Sequence, residues 1–89
     1  MKPRRSEIDI LWEKAPGNGI IGYIIQYKES SLRSWRNAKT ENVTGTFHTI
    51  KSLSPVTQYD IRIAARNDKG HGEFVEDSTK TGNLLFIFE

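Results

Sequence analysis

The chain has 89 residues, a net charge of +2 and no cysteine. A chain of this length forms one domain. The lack of cysteine excludes disulfides, thiol catalysis and cysteine-based zinc sites. The small net charge argues against nucleic acid as a partner, because nucleic-acid-binding proteins carry a clustered basic surface. No apolar run reaches about eighteen residues, so we predict no direct membrane insertion by this module.

The first strand signal follows a basic N-terminal tail, residues 1–6. No apolar stretch follows the basic residues directly, so no signal peptide is expected there. Every second residue from Ile8 to Trp12 is large and apolar, which places these side chains on one face of a strand. Residues 16–19, Pro-Gly-Asn-Gly, end that strand with turn formers.

Further strand signals recur along the chain. We predict strands over residues 20–28, 46–53, 57–66 and 73–81, and a short one over residues 35–38. Residues 67–70, Asn-Asp-Lys-Gly, form a hairpin turn because Gly and Asn accept positive φ. The alternation converges on one predicted core: Ile8, Ile10, Trp12, Tyr23, Ile25, Tyr27, Ile50, Leu53, Tyr59, Ile61 and Ile63.

Six short strands separated by turns predict an all-β sandwich. Residues 53–59, Leu-Ser-Pro-Val-Thr-Gln-Tyr, resemble the E–F corner of a fibronectin type III domain. Trp12 resembles the core Trp of strand B in that family, residues 22–27 its strand C and residues 63–67 its strand F. Within the family, the chain looks most like modules of neural immunoglobulin-superfamily adhesion receptors, with the Down syndrome cell adhesion molecule group as an example.

The resemblance implies a two-sheet Greek-key sandwich, immunoglobulin-like in architecture. It also implies that the Tyr59 hydroxyl bonds to the corner backbone, because a buried phenol needs a hydrogen-bond partner. Its structural core would include Trp12, Tyr23, Leu53 and Tyr59. The module would span residues 7–81.

Both ends depart from the family pattern. Residues 1–7 are too few for a full strand A, so we predict that strand A is short or missing. Residues 82–89 form an apolar C-terminal tail, which the family does not normally carry. The tail either fills the open edge of strand B, in its own molecule or in a neighbour as a self-association tail, or is a disordered boundary segment. Its apolar residues are Leu84, Leu85, Phe86, Ile87 and Phe88.

Two surface features are candidate sites. Asn42-Val43-Thr44 is a glycosylation sequon in a predicted loop, and its alternative is a chance tripeptide. Lys28, Arg62 and Arg66 share one sheet face by alternation. This candidate basic binding face would attract a sulfated glycan or an acidic protein, and its alternative is a solvated charged surface.

The sequence contains no catalytic motif, no metal-ligand cluster and no phosphate loop, so we predict neither an enzyme nor a cofactor. The resemblance implies a non-catalytic protein-binding or spacer module in the extracellular part of a cell-surface adhesion receptor. Other proteins, including a second copy in homophilic contact, are its expected partners. The alternative is an intracellular structural module of the muscle-filament type.

Overall fold

The computed structural model describes residues 6–15, 17 and 19–87. This part of the chain contains strands and no helix, so it has no helix that could cross a membrane. The predicted all-β class is confirmed. The strands are β1 Ile8–Trp12, β2 Gly22–Glu29, β3 Lys39–Val43, β4 Phe47–Ile50, β5 Gln58–Asn67, β6 Gly70–His71, β7 Val75–Lys80 and β8 Leu84–Ile87.

The strands form two sheets, which confirms the predicted two-sheet sandwich. The smaller sheet has the order β4-β1-β8, and the larger sheet has the order β3-β2-β5, with β6 and β7 both paired to β5. All pairs are antiparallel except β1 with β8, which is parallel. The long β2–β5 ladder runs from Gly22 opposite Arg66 to Glu29 opposite Tyr59 and forms the centre of the larger sheet.

The connections before β3 and after β5 were both predicted from the sequence, with different outcomes. The strand predicted over residues 35–38 is wrong, because the next strand begins at Lys39. A local turn takes up the backbone groups here, with the Ala38 amide donating to the Trp35 carbonyl at 3.0 Å. The predicted hairpin at residues 67–70 is confirmed, since Asn67 pairs with Gly70, whose φ is 142°.

The core lies between the two sheets, and every residue predicted for it is buried. Leu85 and Ile87 of β8 join it as further buried residues. The rings of Trp12 and Tyr23 meet edge to face, with centroids 5.5 Å apart. This arrangement is favourable for two aromatic rings and fixes β1 against β2.

Two hydroxyl groups hold the corner before β5 in place. The Tyr59 hydroxyl accepts a hydrogen bond from the Ser54 amide at 3.0 Å, as the family resemblance implies. The Thr81 hydroxyl donates to the Ser54 carbonyl at 2.7 Å. The corner is therefore tied both to β5 and to the residue that follows β7.

A polar network also links the sheets. The Tyr27 hydroxyl of β2 donates to Glu41 Oε2 of β3 at 3.1 Å, and His48 Nε2 of β4 contacts Glu41 Oε1. Burial, with a smaller effect of the Glu41 carboxylate, raises the pKa of Tyr27 to about 12. Tyr27 therefore stays neutral and keeps donating a hydrogen bond to Glu41 well above physiological pH.

The C-terminal segment forms β8 at the edge of β1 that β4 leaves open. Asp9 lies opposite Leu84, and Trp12 lies opposite Ile87. Among the described residues no strand precedes β1, so β8 lies at the edge where the resemblance would place strand A. The Gly82 amide donates to the Glu7 carbonyl at 2.7 Å as the chain crosses between sheets. Phe88 lies outside the described residues.

Candidate protein-binding face

The predicted basic residues lie on the outward face of the larger sheet. In the β2–β5 ladder, Lys28 is opposite Asp60, Gln26 is opposite Arg62 and Gly22 is opposite Arg66. Opposed residues of neighbouring strands project to the same side of a sheet. We call this surface, with the Trp35 and Phe74 rings that cover part of it, the Arg62 face.

Lys28 is buried on this face, with 8% of its surface exposed. Its ammonium group donates to Asp60 Oδ2 at 2.7 Å and to the Leu32 carbonyl at 2.6 Å, and lies 4.9 Å from the centre of the Trp35 ring. Burial disfavours the ionised Asp60 carboxylate, but hydrogen bonds from Lys28 and Ser30 outweigh this and lower its pKa. The charge of Lys28 is thus compensated within the chain.

Arg62 is held between two aromatic rings. Its guanidinium carbon lies 4.2 Å from the centre of the Trp35 ring and 4.3 Å from that of Phe74. Arg62 Nε donates to Gln26 Oε1 at 2.7 Å, and no described residue accepts a hydrogen bond from its two terminal amino groups. The two rings and Gln26 hold the guanidinium in place, while its terminal amino groups have no acceptor among the described residues.

The two rings come from connections rather than from strands. Trp35 lies between β2 and β3, and Phe74 directly precedes β7. The His71 ring packs on Phe74, with centroids 4.8 Å apart. Neither ring is recognisable from the sequence as part of this face, because alternation assigns faces only within a strand.

Arg66 lies at the other end of the face, over Gly22. Its Nε is buried and has no hydrogen-bond partner among the described residues. A Cβ at Gly22 would come within 2.7 Å of the Val43 carbonyl and 3.4 Å of Arg66 Nε. Glycine at this position therefore allows the β2–β3 pair and the Arg66 side chain to approach closely.

Asn42 lies in β3, opposite Ile24, so its predicted loop location is wrong. Its side chain is exposed at the edge of the larger sheet. Exposure is a condition for attachment of a glycan.

Leu84, Leu85, Phe86 and Ile87 lie far from this face, in β8 of the smaller sheet. Leu85 and Ile87 point into the core, and Leu84 and Phe86 point outward. The four residues that the family resemblance assigns to the structural core are all buried: Trp12, Tyr23, Leu53 and Tyr59.

The sequence profile of the Fibronectin type III domain matches residues 2–81. The chain belongs to the fibronectin type III family. The match ends before β8, so the strand that pairs with β1 lies outside the part of the chain that the family profile covers.

The chain is 36% identical over 75 residues to Neural cell adhesion molecule L1.1 of Danio rerio, covering 79% of this chain and 6% of that protein. It is 38% identical over 60 residues to Titin homolog of Caenorhabditis elegans, covering 67% of this chain and, to the nearest per cent, 0% of that protein. The chain therefore corresponds to a small part of either relative.

A solved structure shows the same fold. The crystal structure of chicken CNTN1 FN1-FN3 domains superposes with a TM-score of 0.80 at 24% identity, covering 89% of this chain and 28% of that chain. The resemblance to neural adhesion molecules is shown by L1.1, and the narrower resemblance to the Down syndrome cell adhesion molecule group is only approximate.

Proposed function

We propose that the chain is a non-catalytic protein-binding module in the extracellular part of a cell-surface adhesion receptor. The similarity to a neural cell adhesion molecule supports this setting. Because a fold hosts many functions, the proposal depends on a site rather than on the fold. The observation that carries it is the guanidinium of Arg62, stacked between Trp35 and Phe74 with its terminal amino groups unbonded among the described residues.

A carboxylate of a partner protein fits this geometry. The guanidinium edge presents parallel N–H donors, which match the two oxygens of a carboxylate. Arg62 is already held by two rings and by Gln26, so less side-chain entropy is lost on binding. Arginine and tryptophan are also the residues that most often dominate binding energy at protein interfaces.

An acidic protein fits better than a sulfated glycan. A sulfated chain gains affinity from several free cations in a row, but the charge of Lys28 is neutralised by Asp60. Arg66 has its Nε buried over Gly22, so part of its guanidinium is withdrawn from the surface. The Arg62 face therefore offers one oriented guanidinium rather than a basic track.

The test is an NMR titration of the labelled chain with a Glu-Glu-Glu peptide blocked at both ends. We expect the Arg62 Nε and Trp35 indole signals to shift together as the peptide is added. Arg62→Lys should abolish most of the shift at Trp35, because lysine keeps the charge but lacks the planar pair of donors. Arg33→Ala is the matched control, since Arg33 is exposed in the β2–β3 connection and should leave the titration unchanged.

A heparin hexasaccharide serves as the competing probe in the same experiment. The proposal predicts smaller shifts at Trp35 with heparin than with the peptide at equal concentration. Shifts that are spread over Lys28, Arg62 and Arg66 with heparin, and absent with the peptide, would contradict an acidic protein partner.

The match to Titin homolog favours a second candidate, an intracellular structural module of the muscle-filament type. Glycosylation separates the two candidates, because the sequon at Asn42 is exposed. Secretion of the chain from eukaryotic cells should add a glycan that Asn42→Gln removes, as read by intact mass. An unmodified secreted chain would remove this support for the extracellular setting and would favour the intracellular candidate.

A further inference from the structure

An apolar row crosses the outward face of the smaller sheet. Leu11 of β1 lies opposite Phe47 of β4 on one side and opposite Phe86 of β8 on the other. Phe47 is 55% exposed and Phe86 is 49% exposed, and Leu84 beside them is 54% exposed. Large apolar side chains that are contiguous and exposed commonly mark a protein contact. We call Phe47, Leu11 and Phe86 the Phe–Leu–Phe row.

The row exists because β8 is part of this sheet. Leu85 and Ile87 are buried, which anchors β8 to the core, and alternation then turns Leu84 and Phe86 outward. The family profile matches residues 2–81, so Phe86 lies outside the part of the chain that the profile covers. The row is thus held on a paired sheet rather than on a loose segment.

We propose that the Phe–Leu–Phe row binds the same row of a second copy of the chain. A two-fold contact needs a patch that is complementary to itself. A half-turn about an axis parallel to β1 places Phe47 of one copy against Phe86 of the other and sets the two Leu11 side chains together. This contact is separate from the proposed binding of an acidic protein, because the row and the Arg62 face lie on different sheets.

The contact should be weak. The row and Leu84 supply four side chains, whereas a standard stable interface involves about 20–30 residues on each partner. The same half-turn brings Asp9 of the two copies near each other, because Asp9 is the next outward residue of β1. Weak contacts between identical modules become effective when several are presented on one surface.

Sedimentation velocity of the whole chain, from about 10 μM to about 1 mM, measures this contact directly. We expect a rapidly reversible monomer–dimer equilibrium. Phe47→Ser and Phe86→Ser should each raise the dimer dissociation constant by about tenfold or more. Leu32→Ser is the matched control, since Leu32 is a large apolar residue, 54% exposed, that lies between β2 and β3 and outside the row. It should leave the dissociation constant unchanged.

Phe47→Ser is the decisive variant, because it lies in β4 and leaves β8 intact. A monomer at all concentrations would overturn the inference. So would a dimer that Phe47→Ser leaves unchanged, since this outcome would indicate exchange of β8 between copies instead. Neither result depends on the carboxylate titration of Arg62, so the two proposals fail separately.

Discussion

The two outward faces of the sandwich differ in chemistry, although they cover one core. On the larger sheet, Lys28 is paired with Asp60 and Arg62 is stacked between rings. On the smaller sheet, Phe47 and Phe86 are exposed. Inward residues of the two sheets are alike, because they must fill the same interior. The sandwich therefore constrains the chemistry of the inward positions, while the outward positions can differ and can contact partners.

The largest loss in the free energy of unfolding is expected for an inward residue of β8, and its outward neighbour should lose much less. Leu85 of β8 is buried, and its neighbour Leu84 is exposed. We expect Leu85→Ala to lower the free energy of unfolding by about 2–5 kcal/mol, through lost burial and a cavity. Leu84→Ala should change it by about 0.5 kcal/mol or less. Urea unfolding of both variants measures the difference, and equal losses would contradict the packing of β8 on the core.

The next effect tests the corner that connects the sheets. Tyr59→Phe keeps the ring but removes the acceptor of the Ser54 amide. We expect a loss of about 1–3 kcal/mol in the free energy of unfolding, because a partly buried amide is left without a partner. Thr57→Ser is a suitable control, since it keeps the hydroxyl that donates to the Pro55 carbonyl. A Tyr59→Phe variant as stable as the parent chain would show that water replaces the hydroxyl.

A smaller loss in the free energy of unfolding should distinguish the outward face of the larger sheet from that of the smaller sheet. Arg62→Ala removes the cation from both rings, and each exposed cation–π contact contributes about 0.5–1 kcal/mol. We expect a total loss of about 1–2 kcal/mol in the free energy of unfolding. Phe47→Ala on the smaller sheet should cost about 0.5 kcal/mol or less. A Phe47→Ala variant that is less stable than Arg62→Ala in thermal unfolding would contradict this difference between the two faces.

The smallest expected effect is on the pH dependence of the free energy of unfolding, through Asp60 of the larger sheet. Burial opposes ionisation of Asp60, but its hydrogen bonds from Lys28 and Ser30 prevail and hold its pKa below the ordinary value of 3.8. Its contribution to stability is therefore present above that value and is lost as the pH falls through the pKa of the folded state. Asp60→Asn should unfold with a shallower dependence on pH below about pH 4. Parallel acid titrations of the two proteins would contradict the pairing with Lys28.

Alternation predicts the inward half of the fold well. Three runs of alternating large apolar residues are buried, from Ile8 to Trp12 in β1, from Tyr23 to Tyr27 in β2 and from Tyr59 to Ile63 in β5. The corner around Tyr59 is also recognisable, because its chemistry is contained in seven consecutive residues. These signals depend only on residues close together in the sequence, so they are recognisable before the pairing of the strands is known.

The outward half depends on contacts that the sequence does not display. The position of Lys28 opposite Asp60 is a matter of register between strands far apart in the chain. Trp35 was expected in a strand, yet it covers Arg62 from a connection. The apolar run at residues 84–87 predicts an apolar strand or tail equally well, because parallel pairing with β1 is set by tertiary packing.

Amide chemical-shift mapping on one labelled sample can show whether the two outward faces of the sandwich act separately. We predict that dilution from about 1 mM shifts amides of β4, β1 and β8 only, since it dissolves the contact between Phe–Leu–Phe rows. We predict that the Glu-Glu-Glu peptide shifts only residues around Arg62, Trp35 and Phe74. Dilution and peptide shifts that fall on the same residues, or dilution shifts centred on Arg62, would show that the two faces do not act separately.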